Sequence, residues 1–261
     1  MVGLSMIMTT GTAPISAAEV AALLASKWPD VPPATAVEQS DDTLSLGLGE
    51  GFAIIARVAA PIPWTELEGP CATSLLWKNA AEEVRRHTHH WLVTLMGVEE
   101  PIAQATLLTQ VTAAATAACP DAIGVYWGNA TLVVPKPIFV DFAEKILPQG
   151  PPLLIWVDFR VGKDSETSCA GFTQGMQALG HMELETQKAP EPPGELRERL
   201  MSLAAYVIEH GPIIRDGDTI GEDADEKIRV VFSPSAYGSE GRVMRLVYES
   251  ASPAKPWWKL W

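Results

Sequence analysis

The spacing of apolar residues divides the chain into helical stripes and strand-like alternations. Ser16-Ala17-Ala18-Glu19 has the form of a capping box. Val20, Leu23, Leu24 and Trp28 follow at helical spacing, and Pro29, Pro32 and Pro33 break the pattern, which predicts a first helix starting at Ser16. Residues 43–49 and 52–58 read as two strands joined by a tight turn at Glu50-Gly51. Residues 64–69 predict a short helical turn, 76–86 a helix with Glu82 and Glu83 outward, and 89–97 a strand. Residues 101–119 predict an Ala- and Thr-rich helix that carries a proline in its first turn. A hairpin over 122–127 and 131–134 and a helix over 137–147, with Phe139, Phe142 and Ile146 on one stripe, complete the first half.

Gln149-Gly150-Pro151-Pro152 marks a boundary. Beyond it, residues 153–161 predict a strongly apolar strand, and 170–173 and 181–188 two more strands. Residues 195–210 form an amphipathic helix with Leu196, Leu200, Leu203 and Val207 inward, and 227–232 and 242–248 are the last strands. The reading is thus an α+β fold with antiparallel sheets flanked by helices. It comprises a flexible tail over 1–15, an α+β half over 16–150, a second over 151–250, and a Trp-rich tail over 251–261. Both halves follow a β-β-β-α-β-β rhythm, as a pseudo-repeat would.

Composition narrows the chemistry. The chain has 261 residues, 47% of them hydrophobic, enough for a sizeable core. No stretch approaches the roughly 18 apolar residues of a bilayer span. Residues 1–18 carry no Lys or Arg and lack the form of a signal peptide, so a cytoplasmic protein is expected, with no membrane partner. A formal net charge of -13 disfavours nucleic acid and favours a protein partner with a basic surface. The cysteines Cys71, Cys119 and Cys169 form no CxxC pair, so each is expected as a small buried apolar residue.

Candidate chemistry gathers at His87-Thr88-His89-His90, which follows Arg85-Arg86 and enters an apolar run. On a strand, His87 and His89 would share one face and His90 the other. Two imidazoles so placed can bind zinc or another divalent metal if a third ligand joins them, with His181, Glu183, Glu185, Asp216 and Asp218 as candidates. The competing reading makes them polar anchors at the mouth of a strand. Glu183 and Glu185 alternate on a predicted strand; as a pair they would suit acid–base work, while the plainer pattern is a solvated face with Met182 and Leu184 inward. Asp216-Gly217-Asp218 lacks the ligand spacing of a calcium loop and reads as a tight turn. No activated nucleophile or cofactor motif stands out. Trp28, Trp77, Trp91 and Trp156 have apolar neighbours and are expected in the core. Trp257, Trp258 and Trp261, beside Lys255 and Lys259, are candidate partner-binding residues.

Pro61-Ile62-Pro63-Trp64, His87-Thr88-His89-His90, Gly124-Val125-Tyr126-Trp127, Gly180-His181-Met182-Glu183-Leu184-Glu185 and Asp216-Gly217-Asp218-Thr219-Ile220-Gly221 occur in that order. The order resembles the bacterial domain of unknown function family 4261, over roughly residues 20–250. The resemblance implies fold and bacterial origin rather than an activity. The leading expectation is a non-catalytic cytosolic protein-binding protein, such as an immunity or adaptor protein for a secreted effector, with no cofactor. The alternative is a metal-dependent hydrolase using His87 and His89 with a carboxylate from Glu183 or Glu185.

Overall fold

The structure is a computed structural model, and it describes residues 3–221 and 227–248. Residues 3–158 and Ala178–Gly180 form one compact unit; Phe159–Gln177 and residues 181–248 form another.

The first unit is built on a seven-stranded sheet in the order β2-β3-β4-β5-β1-β6-β7, antiparallel throughout. Its strands are β1 (Gly3–Thr9), β2 (Thr35–Gln39), β3 (Thr43–Leu48), β4 (Gly51–Val58), β5 (His89–Met96), β6 (Ala122–Trp127) and β7 (Leu132–Pro135). The expectation of a flexible tail over 1–15 is corrected: Gly3–Thr9 form β1, an interior strand of the sheet, paired with β5 on one side and β6 on the other. Its polar residues disguise it. Ser5 is fully buried because its hydroxyl pairs with that of Thr112 at 2.7 Å, which satisfies both groups inside the core.

The helices of this unit are α1 (Ala17–Lys27), α2 (Trp64–Thr73), α3 (Ala80–Val84), α4 (Pro101–Ala118), α5 (Lys136–Asp141) and α6 (Leu153–Trp156). Ser16 caps α1 by accepting the Glu19 N–H, as the capping box predicts. Glu100 caps α4 by accepting the Ile102 and Ala103 N–H groups, with Pro101 in the first turn. α4 has buried residues all round because it packs on β1, β5 and β6 and is covered by α1 and α5. A π-turn over Phe142–Ile146 extends α5 and rotates the predicted stripe, so Phe139 and Ala143 are buried while Ile146 is exposed. The apolar run 153–161 is not one strand. Behind Pro151-Pro152 it makes one helical turn, closed by the Val157 N–H on the Leu153 carbonyl at 2.8 Å. Buried Trp156 donates from Nε1 to Thr109 Oγ1 at 2.8 Å.

The opposite face of β1, β6 and β7 is covered by α2 and α3. Met8, Tyr126 and Val133 from the sheet pack with Ile62, Leu67, Cys71, Trp77, Ala80 and Val84. Trp77 lies so close to β6 that a Cβ at Gly124 would stand 2.4 Å from its ring. Glycine is therefore required there for the cover to close.

The second unit holds a six-stranded sheet in the order β11-β12-β13-β10-β9-β8. The strands are β8 (Asp158–Lys163), β9 (Cys169–Gln174), β10 (Leu184–Ala189), β11 (Thr219–Ile220), β12 (Ile228–Pro234) and β13 (Arg242–Tyr248). β10 and β13 are parallel, with α7 (Pro193–His210) between them in sequence. α7 buries Leu196, Leu200, Leu203 and Val207, as its stripe predicts. The fold is α+β, with one antiparallel and one mixed sheet. The two sheets do not repeat strand for strand: β1 is inserted between β5 and β6, whereas β10 pairs directly with β13. No helix among the described residues is long and apolar enough to cross a membrane.

Candidate functional site

The histidines occupy the junction between α3 and β5. β5 begins at His89, so His87 belongs to the connection before it, and the expectation that His87 and His89 share one strand face is corrected. A turn closes behind α3, with the His87 N–H on the Val84 carbonyl at 3.1 Å. His87 is 6% exposed. Its Nδ1 lies 2.5 Å from the Val84 carbonyl oxygen and its Nε2 accepts the Ile62 N–H at 2.8 Å. A carbonyl only accepts, so Nδ1 carries the proton and Nε2 the lone pair. Both nitrogens are engaged, and neither is left for a metal. His90 is also buried, and its Nδ1 lies 2.8 Å from the Ala60 carbonyl. His89 is half-buried, and its Nδ1 lies 2.9 Å from Thr88 Oγ1. Burial pushes the His87 and His90 imidazoles below their ordinary value. Arg85 extends over the Trp64 ring, 3.5 Å from its centroid.

Glu183 and Glu185 sit in the second unit, and the expectation of a solvated face is corrected. Glu183 is 3% exposed and Glu185 0%. β10 begins only at Leu184, so His181 and Glu183 precede it. The Glu183 carboxylate accepts Thr173 Oγ1 at 2.7 Å, the Gly175 N–H at 2.8 Å and the Gln177 N–H at 3.1 Å. The Thr173 hydroxyl in turn accepts the Leu184 N–H at 2.8 Å. The carboxylate thereby holds the chain between β9 and β10 in place. Glu185 accepts the Ser235 hydroxyl and, at 3.0 Å, the Ala236 N–H, and Arg245 stands 3.6 Å away. The Ser235 oxygen accepts the Tyr237 and Ser239 N–H groups, each at 3.0 Å, which folds the β12–β13 loop inward. Tyr237 then stacks on Phe172 with ring centroids 4.7 Å apart. Sequence spacing hid these roles because the hydrogen-bonding partners lie up to 51 residues away.

His181 is half-buried; its Nδ1 meets no hydrogen-bond partner among the described residues, and burial lowers its pKa. Asp216 and Asp218 form the expected tight turn. Asp218 accepts the Arg215 N–H at 2.8 Å, and Asp216 accepts the Phe232 N–H at 2.7 Å. Among the described residues, no group of three or more His, Cys, Asp or Glu side chains is gathered to hold a metal ion. Cys71, Cys119 and Cys169 are free and buried, and burial raises the Cys71 thiol to about 11, which keeps it in the unreactive thiol form near neutrality. Trp28, Trp77, Trp91 and Trp156 are buried as expected. Trp257, Trp258 and Trp261 lie outside the described residues.

A feature that residue-type reasoning missed is an open groove in the second unit. It has a volume of about 510 Å³ and runs between the C-terminal half of α7 and residues 213–221. Leu203, Ile214 and Ile220 line it. Tyr206 and Ile213, 43% and 49% exposed, stand at its rim with Asp218. Gly211 makes the groove possible: its φ of 77° ends α7 and turns the chain back along the helix. The signal in sequence was Gly211-Pro212 followed by Ile213-Ile214, two apolar residues outside any predicted core element.

Residues 172–247 match the family described as a domain of unknown function, DUF4261. The stretches 180–185 and 216–221 fall inside that match, and 61–64, 87–90 and 124–127 fall outside it. No curated protein and no solved structure matches the chain.

Proposed function

We propose that this chain is a non-catalytic binding protein, and that its groove beside α7 holds a segment of another protein that is basic and apolar in character. The observation that supports this is the groove itself. Its volume of about 510 Å³ is that of a ligand-sized cleft, and it lies wholly within the DUF4261-matched residues. Exposed Tyr206 and Ile213 offer an apolar anchor next to the Asp218 carboxylate. The net charge of -13 steers a basic partner toward the protein and opposes nucleic acid. A cytosolic bacterial immunity or adaptor protein for a secreted effector is the setting in which such a binder fits.

The test is capture from native lysate with the full-length chain, run beside Ile213→Asp and Tyr206→Ala. Both positions are exposed, so the variants retain the fold, as circular dichroism would verify. A single stoichiometric partner is expected with the wild type. Its recovery should fall at least tenfold in Ile213→Asp and should weaken as salt rises. Equal recovery by wild type and Ile213→Asp would show that the groove is not the binding surface.

A further inference from the structure

We propose that His87 is an acid-sensitive latch that holds the α2–α3 cover closed over the β1–β6–β7 face of the first unit. Pro61-Ile62-Pro63 leads directly into α2. Proline has no N–H, so Ile62 supplies the only backbone donor of these three residues. Ile62 is buried in the cluster under α2 and α3. Its N–H is received by His87 Nε2 at 2.8 Å, while Val84, in the same cluster, receives the other side of the ring at 2.5 Å. One neutral imidazole therefore ties the entry of α2 to the end of α3.

This arrangement accepts only one protonation state. A second proton on His87 would occupy the lone pair that Ile62 needs and set two N–H groups against each other. His90 behaves differently although it is a buried neighbour. Its Nδ1 faces the Ala60 carbonyl at 2.8 Å, so that bond uses a proton and persists when the ring is charged. His90 on β5 opposes charge on His87, Glu66 on α2 acts on His90 in the opposite sense, and Arg85, after α3, acts on Cys71 of α2. Burial is the largest influence on His87 and lowers its pKa from 6.5. A depressed folded-state value means that the latch is fully present above the unfolded value of 6.5 and is lost as pH falls below it. Opening would uncover Met6, Met8, Ile123, Tyr126 and Val133, the apolar sheet surface beneath the cover.

The experiment is hydrogen exchange of the full-length protein at about pH 7.5 and about pH 5.5, corrected for intrinsic rates. Opening of residues 60–73 is expected to rise severalfold at the lower pH, toward a ceiling of about tenfold for one ring that titrates at 6.5 when released. In His87→Gln the side-chain carbonyl can take the place of Nε2 as a neutral acceptor, so the pH response should flatten, whereas His90→Gln should keep it. An NMR titration of wild-type His87 provides a readout independent of the variant: the ring should be the Nδ1–H tautomer at neutral pH, and the Ile62 amide should shift as the ring titrates. Equal protection of 60–73 at both pH values, or an unchanged response in His87→Gln, would overturn the proposal.

Discussion

In the first unit a buried imidazole receives the Ile62 N–H, and in the second a buried carboxylate receives those of Gly175 and Gln177. Both groups restrain a segment that leaves an edge of the core, but their hydrogen-bonding capacity differs. His87 has one lone pair, already assigned to Ile62, and its other nitrogen must donate. Glu183 only accepts, and Thr173 adds a third donor to it. The imidazole is thus a single-bond latch that a proton can open, and the carboxylate is a multiple-bond anchor whose loss strands several donors at once. The comparison shows that polar residues conspicuous in sequence can be wholly absorbed by the fold. The groove beside α7 is made from less conspicuous residues.

The largest expected effect follows from that difference. Glu183→Ala leaves the Gly175 and Gln177 N–H groups and the Thr173 hydroxyl without their acceptor and should cost about 3–5 kcal/mol, read from denaturant midpoints. A loss below about 1 kcal/mol would mean that the loop does not depend on it. Gly124→Ala should cost about 1–3 kcal/mol in thermal stability, because the added methyl would press on Trp77 and on the Val134 carbonyl. Retained stability would mean that the cover packs less tightly than described. Removing the His87 acceptor with His87→Ala should cost about 1–3 kcal/mol at neutral pH. Wild-type stability should decline as pH falls below 6.5, with a slope that His87→Gln reduces. The smallest effect belongs to His89→Ala, expected within about 0.5 kcal/mol, since the ring's hydrogen bond is to the adjacent Thr88.

Much of the fold was readable where local signals decide the structure. Ser16 announces α1, the stripe from Leu196 to Val207 announces α7, and Glu50-Gly51 joins β3 to β4. What was hidden depends on distant partners. β1 reads as a tail because Thr9, Thr10, Gly11 and Thr12 break the apolar run, and only Thr112 on α4 explains how the Ser5 hydroxyl within it is buried. Glu183 and Glu185 looked solvated because alternation with Leu184 is the usual sign of a half-exposed strand. Their partners at Thr173, Gly175, Gln177, Ser235 and Ala236 come together only when the sheet forms. The histidine cluster was legible as a polar anchor at the mouth of β5, but its target, one N–H between two prolines, was not. The groove had no motif at all, because its shape comes from the turn at Gly211.

The most direct test of the account is amide-resolved hydrogen exchange on His87→Ala and Glu183→Ala under native conditions. His87→Ala should speed exchange at Ile62 and through α2, and Glu183→Ala should speed it at Gly175 and Gln177, each variant loosening its own segment. Unchanged protection of those amides in either variant would contradict it, because the side chain would then not be what holds the segment.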